Sequence, residues 1–193
     1  MPKPTMQQTQ LERILAIAAK LFAERGYHAV GMTELGDAVG LGRGALYHHI
    51  KSKEDVLYNI TRQYIFVLVE LGNKAFEEET DPKLRVQLLG RQLMETIAVY
   101  QAELTVCFRE IYSLTGSRKE EVLRLHGEYE HIWRRALIDG EKKGVFRPFN
   151  AVRLKGLLGM FFYSYIWMKP NGAQGPETIS KIFNDVVLKA LEK

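Results

Sequence analysis

Residues 35–57 read Leu35-Gly-Asp-Ala-Val-Gly-Leu-Gly-Arg-Gly-Ala-Leu-Tyr-His-His-Ile-Lys-Ser-Lys-Glu-Asp-Val-Leu57. Gly40 follows the last apolar-periodic residue of one segment and Gly42 precedes the first of the next, so one helix stops and another starts within about three residues. Gly31 and Gly42 stand at N-cap positions, with Val30 placed to staple onto Leu35 and Leu41 onto Leu46. Two short helices joined by so tight a turn form a helix-turn-helix. Leu35, Ala38, Val39, Leu41, Leu46 and Ile50 are the expected core of that unit.

Upstream, Leu11, Ile14, Leu15, Ala18, Leu21 and Phe22 form one stripe of a helix predicted from about Thr9 to Arg25, with Gly26 as its stop. Met1 to Gln10 is polar, contains Pro2 and Pro4, and is expected to be a disordered arm. Downstream, Ser52 caps a long helix from Lys53 to about Phe76, and Asp81-Pro82 restarts the chain. Helical spacing then predicts segments 82–101, 103–115, 117–143, 151–168 and 176–191, broken at Gly116, at Gly144 with Pro148, and over Lys169 to Pro176. No segment of more than a few residues alternates with the period of two that a half-buried strand requires. The expected fold class is all-α: an N-terminal three-helix helix-turn-helix domain over residues 1–55 and a larger helical domain over 56–193.

The chain has 193 residues, 46% of them apolar, enough to bury a substantial core. The longest apolar-leaning run, Leu157 to Met168, is shorter than the roughly 20 residues of a membrane span. A single cysteine, Cys107, excludes an intramolecular disulfide framework and fits a reducing compartment, so a cytoplasmic location with no membrane partner is expected. The net charge of +4 says little, because residues 1–55 carry seven Lys or Arg against six Asp or Glu. Any polyanion must therefore be met by the placement of charge and not by its total.

The second helix of the turn has the composition for that. Arg43, Gly44 and Ala45 at its N-terminus let backbone and small side chains come close to base edges in a major groove. Tyr47 and His48, one turn on, can donate hydrogen bonds to phosphates, and Lys53 adds a cation at the next helix start. Enzyme chemistry has no support: there is no phosphate loop after a strand, no nucleophile elbow and no metal-ligand pattern. His126 and His131 are five apart, which puts them about 140° apart around a helix, so they read as solvated or partly packed and not as ligands. Cys107 has no activating partner in sequence and is expected in the core. No catalytic residue, metal or cofactor is expected.

The stretch 35–57, with Phe22-Ala-Glu-Arg-Gly-Tyr27 before it, closely resembles the DNA-binding signature of the TetR family of bacterial repressors. The resemblance is specific over about residues 10–60 and architectural beyond. It implies a homodimer on double-stranded operator DNA in the nucleoid, released by a small hydrophobic effector. It also implies DNA contacts from the positions of Thr33, Arg43, Ala45, Tyr47, His48 and Lys53. Gly31 and Gly42 depart from the Ser or Thr caps usual in the family, and Gly36 from the usual Ala.

Most of the 20 aromatic residues lie after residue 57, and the resemblance implies that some line a sensor pocket. Tyr64, Tyr100, Phe108, Tyr112, Trp133 and Phe162 are the candidates, with Arg109, Arg134 and Lys155 as possible phosphate partners. Glu141 to Pro148 and Trp167 to Gly172 look like the branch that controls steroid and fatty-acid degradation, which implies an acyl-coenzyme A effector. Leu157-Leu158-Gly159 stand where steroid-responsive members tend to carry a cation. A multidrug or aromatic-compound sensor of the same fold is the alternative. The last two helices carry apolar residues beyond one core stripe, and Leu154, Leu158, Phe161, Tyr165, Ile179, Phe183 and Val187 are the expected dimer contacts in a four-helix bundle.

Overall fold

The computed structural model describes residues 9–193, so the arm expected over Met1 to Gln10 lies, as far as Gln8, outside the described residues. Thr9 opens the first helix with a reciprocal cap: its hydroxyl accepts from the Glu12 amide at 3.2 Å and its amide donates to the Glu12 carboxylate at 2.8 Å. Among the described residues there are α1 (Gln10–Arg25), α2 (Met32–Val39), α3 (Arg43–His49), α4 (Lys53–Glu78), α5 (Pro82–Val99), α6 (Gln101–Glu110), α7 (Gly116–Lys142), α8 (Ala151–Tyr163) and α9 (Pro176–Leu191), and no β-strand. None of these helices is long and apolar enough to cross a membrane.

α1, α2 and α3 enclose Ile14, Ala18, Phe22, Leu35, Val39 and Leu46, all at most 1% exposed. Leu11 and Ala38, read as core, are exposed instead, because each lies at the edge of its stripe. The turn closes through Gly40, whose φ of 71° is left-handed, and through the Leu41 amide donating to the Gly36 carbonyl at 2.9 Å. A Cβ on Gly36 would meet the Leu41 carbonyl oxygen at 2.9 Å, so its departure from the family's usual Ala tightens the turn.

α4 runs for 26 residues, about 39 Å, out of the N-terminal three-helix unit and through the rest of the protein. α7, 27 residues long, lies against it, and α5 fills the space between α4, α7 and α9. Segment ends shift from the sequence expectation where side chains intervene. The 82–101 segment stops at Val99. The 103–115 segment starts at Gln101, whose side-chain amide donates to the Tyr165 and Met168 carbonyls at 2.6 and 2.9 Å, and it ends in a single tight turn, Ile111–Ser113. The 151–168 segment stops at Tyr163 and tightens over Ser164–Ile166.

Phe146 folds back from the α7–α8 loop into the core, and the Val145 and Phe146 amides both donate to the Gly140 carbonyl, at 2.9 and 3.1 Å. A Cβ on Gly140 would lie 2.0–2.4 Å from the Phe146 ring. Gly140→Ala gains about 1 kcal/mol of helix propensity but must evict a buried phenyl ring, a change of the kind that costs about 3–5 kcal/mol. The variant is expected to lose about 2 kcal/mol or more in urea unfolding; equal stability would mean that Phe146 is not held there.

Candidate DNA-binding and effector sites

Leu46 and Ile50 anchor α3 in the core, which turns Arg43, Gly44, Ala45, Tyr47, His48 and His49 outward together. Thr33 on α2 is exposed beside them. The Arg43 guanidinium lies 5.9 Å from the Tyr47 ring, and Tyr47 remains 39% exposed. Lys53 departs from expectation. Its ammonium donates to the His28 carbonyl at 3.3 Å and lies 4.5 Å from the Tyr27 ring, and the burial that results lowers its pKa.

The next two residues tie this unit to the far one. Glu54 accepts from the Thr115 amide and hydroxyl at 3.0 and 2.8 Å, and Arg118 bridges Glu54 and Asp55 at 3.4 and 3.0 Å. The Thr115 hydrogen bonds hold the Glu54 carboxyl below its usual range. One turn along, Glu121 accepts from Arg62 at 2.8 Å and from the Tyr58 hydroxyl. Arg109, expected near an effector, is used in this same seam: it is exposed and donates to the Ala23 carbonyl of α1 at 2.9 Å.

The candidate effector residues divide. Tyr64 and Trp133 are fully buried, Tyr100 and Phe162 are half-buried, and Phe108 stacks on Tyr165 at 5.2 Å beside Phe162 at 6.0 Å. Tyr112 is 79% exposed under the Lys119 ammonium, so it faces solvent and lines no cavity. Tyr64 and Trp133 pack as core, and Phe108, 47% exposed, lies at the surface, so the set does not wall a large void. What opens between α7 and α8 is a cleft of about 250 Å³, lined by His126, Tyr129, Glu130, Lys155, Leu158 and Phe162. A larger groove between α5 and α9, about 750 Å³, is as open to solvent and carries charges of both signs, among them Glu79, Arg91, Glu95, Glu177 and Lys181.

His126 was missed as a site residue by pairing it with His131, which is exposed. The legible signal was its place on the stripe Val122, His126, Tyr129, Trp133 of α7. Its Nε2 lies 3.0 Å from the Tyr64 hydroxyl and 3.8 Å from Cys107 Sγ. The Tyr129 hydroxyl and the Trp133 indole nitrogen are buried with no hydrogen-bond partner among the described residues.

The expected dimer residues are also redistributed. Leu154, Phe161, Ile179 and Val187 are at most 3% exposed inside the protomer, so they hold α8 and α9 to their own core and have no surface left for a partner. Leu158 lines the cleft, and Tyr165 and Phe183 are half-buried. The outward apolar face belongs to Val152, Tyr163, Ile166, Trp167, Ile182 and Val186, between 45% and 78% exposed.

Burial lowers the His126 pKa to about 4, from about 6.5 when unfolded. Between those values the unfolded chain binds the extra proton, so stability contributed by the neutral imidazole is full above pH 6.5 and falls as pH drops through 4, by about 3 kcal/mol. Urea midpoints of the parent and His126→Asn compared from pH 7 to 4 should converge as pH falls. Parallel curves would show that His126 is not buried as a neutral base.

Two family models cover most of the chain: the tetR family of bacterial regulatory proteins over residues 14–59 and the tetracyclin repressor-like C-terminal domain over residues 79–191. The transcriptional repressor KstR2 of Rhodococcus jostii is 29% identical over 92% of this chain and 89% of its own length. Among solved structures, the TetR-family regulator PfmR of Thermus thermophilus is 32% identical with a TM-score of 0.86, covering 94% of this chain and 100% of that one. AibR, solved with isovaleryl coenzyme A and operator DNA, is 25% identical with a TM-score of 0.81, covering 93% and 98%. With both halves matched in order, the chain belongs to the TetR family of bacterial regulatory proteins, a family of DNA-binding regulators and not of enzymes.

Proposed function

We propose that this protein is a transcriptional repressor that binds a palindromic operator in the nucleoid as a homodimer and is released by an acyl-coenzyme A thioester entering the α7–α8 cleft. Residues 1–55 are the DNA-binding unit and 56–193 the sensing and dimerising one. The observation that carries the reading is that a single helix serves both ends. α7 supplies His126 and Tyr129 to the cleft and Arg118 to Glu54 and Asp55, which follow the recognition helix α3 within six residues. Displacement of α7 by a ligand therefore pulls on the helix that sets where α3 points. The names of relatives agree with this reading: KstR2 is a repressor, and AibR was solved with a thioester and an operator together. A cationic drug suits the cleft less well, because its one carboxylate, Glu130, already faces two cations, Lys155 at 3.1 Å and Arg134 at 3.7 Å.

On DNA, Arg43, Gly44 and Ala45 face base edges while Thr33, Tyr47 and His48 take phosphates. Lys53 joins them only on leaving the His28 carbonyl. Arg43→Ala is expected to weaken operator retention by about 1–3 kcal/mol, and Tyr47→Phe by about 0.5–1.5 kcal/mol, in electrophoretic retardation of the DNA upstream of its own gene. Isovaleryl coenzyme A should release the parent complex, and isovalerate should not. Undiminished retention by both variants would sink the docking. Release by the free acid or by a cationic drug alone would replace the thioester and leave the repressor standing.

The dimer forms through the outward faces of α8 and α9, pairing into a four-helix bundle. Those residues are exposed in the protomer, so a charge there leaves the fold intact but would be buried at the interface. Val186→Asp is expected to sediment as a folded monomer and to lose operator binding, since one recognition helix reads too few base pairs. A variant that stays dimeric removes this face from the interface.

A further inference from the structure

We infer that the α7–α8 cleft selects its ligand by an acceptor oxygen, the carbonyl of a short acyl thioester, which takes a hydrogen bond from Nδ1–H of His126. The inference rests on the effector reading above and specifies what the cleft recognises. Its basis is the tautomer that the surroundings of His126 impose. The imidazole is largely enclosed, and Glu130, the carboxylate that shares the cleft, is held by Lys155 at 3.1 Å and Arg134 at 3.7 Å. A neutral imidazole has one donor and one acceptor nitrogen. Nε2 is 3.0 Å from the Tyr64 hydroxyl, and Tyr64 is fully buried, with Cys107 Sγ the other polar atom on this nitrogen at 3.8 Å. The phenol is the stronger donor and the imidazole nitrogen the stronger acceptor in that group, so Tyr64 donates to Nε2 and the ring proton sits on Nδ1.

Nδ1 has no hydrogen-bond partner among the described residues, on a side chain that lines the cleft. The Tyr129 hydroxyl, likewise without a partner, is itself buried and not open to the cleft. The cleft therefore offers one neutral donor, the His126 Nδ1–H, apolar walls from Leu158 and Phe162, and the Lys155 ammonium at its rim. The acceptor beside it, the Glu130 carboxylate, is held by two cations, Lys155 and Arg134. A ligand with a carbonyl oxygen, a small alkyl group and an anionic extension matches that set, whereas an ammonium group, which has no acceptor, would bring only donors to a donor. The volume, about 250 Å³, lies just below the usual range of about 300–1,000 Å³ for ligand pockets, which favours a short acyl group over a polycyclic one.

The test compares isovaleryl coenzyme A with its thioether, S-isopentyl coenzyme A, which has the same branched chain and no carbonyl. Dissociation constants come from calorimetry on the full-length protein. The parent should prefer the thioester about tenfold, the effect of one such hydrogen bond. His126→Asn, whose amide nitrogen falls near the Nδ1 position, should keep most of that preference. His126→Phe should reduce it to about one. Nitrogen-15 spectra of the parent should show the histidine proton on Nδ1, a measurement independent of whether any variant folds. A preference that survives His126→Phe, or a proton found on Nε2, overturns the inference. Equal binding of both compounds by the parent overturns it and leaves the thioester effector standing. Binding of neither ends both readings.

Discussion

Gly72 lets α4 and α7 approach so closely that a Cβ there would lie 3.0 Å from the Ile132 side chain. From that crossing the two longest helices share a seam that runs toward the DNA-binding unit. Tyr64 meets His126, Tyr58 and Arg62 meet Glu121, and Glu54 and Asp55 meet Arg118. Numbers rise together along both helices, so they run parallel, and each end of the seam has a distinct character. The far end is apolar and close-packed, which fixes position; the near end is polar and partly wet, which permits adjustment. His126 sits between them, where the seam opens into the cleft.

The fold was legible because its signals are local. Helical periodicity, the Ser52 and Asp81 caps, and Gly26 and Gly40 as stops are all properties of a few adjacent residues, and they locate the helices to within a few positions. The exposed surface of α3 was legible for the same reason: burying Leu46 and Ile50 leaves the rest of the helix turned outward. Lys53 was the exception, since its partners His28 and Tyr27 lie about 25 residues away in sequence. The sensor half was less readable, because an aromatic residue on a stripe looks the same whether it packs or lines a void. Tyr112 fails as a cavity residue because it falls in the tight turn after α6, off the helical stripe that carries Leu104 and Cys107 inward. For α8 and α9 the error was one of side: Leu154, Phe161, Ile179 and Val187 are apolar for the protomer's core, and the outward set differs from them by a rotation of the helix that periodicity alone cannot assign when both faces are apolar.

A filled interior constrains how a ligand can act. Tyr64, Tyr129 and Trp133 occupy the centre, and the free volume beside them is a small cleft. Occupying it fully requires side chains or a helix to give way, since close-packed interiors yield by discrete rearrangement and not by compression. The unpartnered Tyr129 hydroxyl and Trp133 indole nitrogen mark where that rearrangement is favoured. A buried donor without a partner costs about 1–3 kcal/mol, which a ligand oxygen recovers on arrival.

That recovery must be compared with the swing a repressor needs. Moving a two-state DNA-binding protein from mostly bound to mostly released takes about 5 kcal/mol of differential affinity, and a ligand that fits both states equally moves nothing. Half-exposed ion pairs such as Arg118 with Glu54 and Asp55 are individually weak, so loosening that junction alone falls short. Satisfying Tyr129 and Trp133 together, at about 1–3 kcal/mol each, approaches the required size, and only if the state that binds DNA denies the ligand those contacts. Both donors sit on α7, one turn apart. The two buried donors and the junction with α4 are thus carried by one rigid helix, and a displacement that brings the ligand to Tyr129 and Trp133 necessarily moves Arg118 against Glu54 and Asp55.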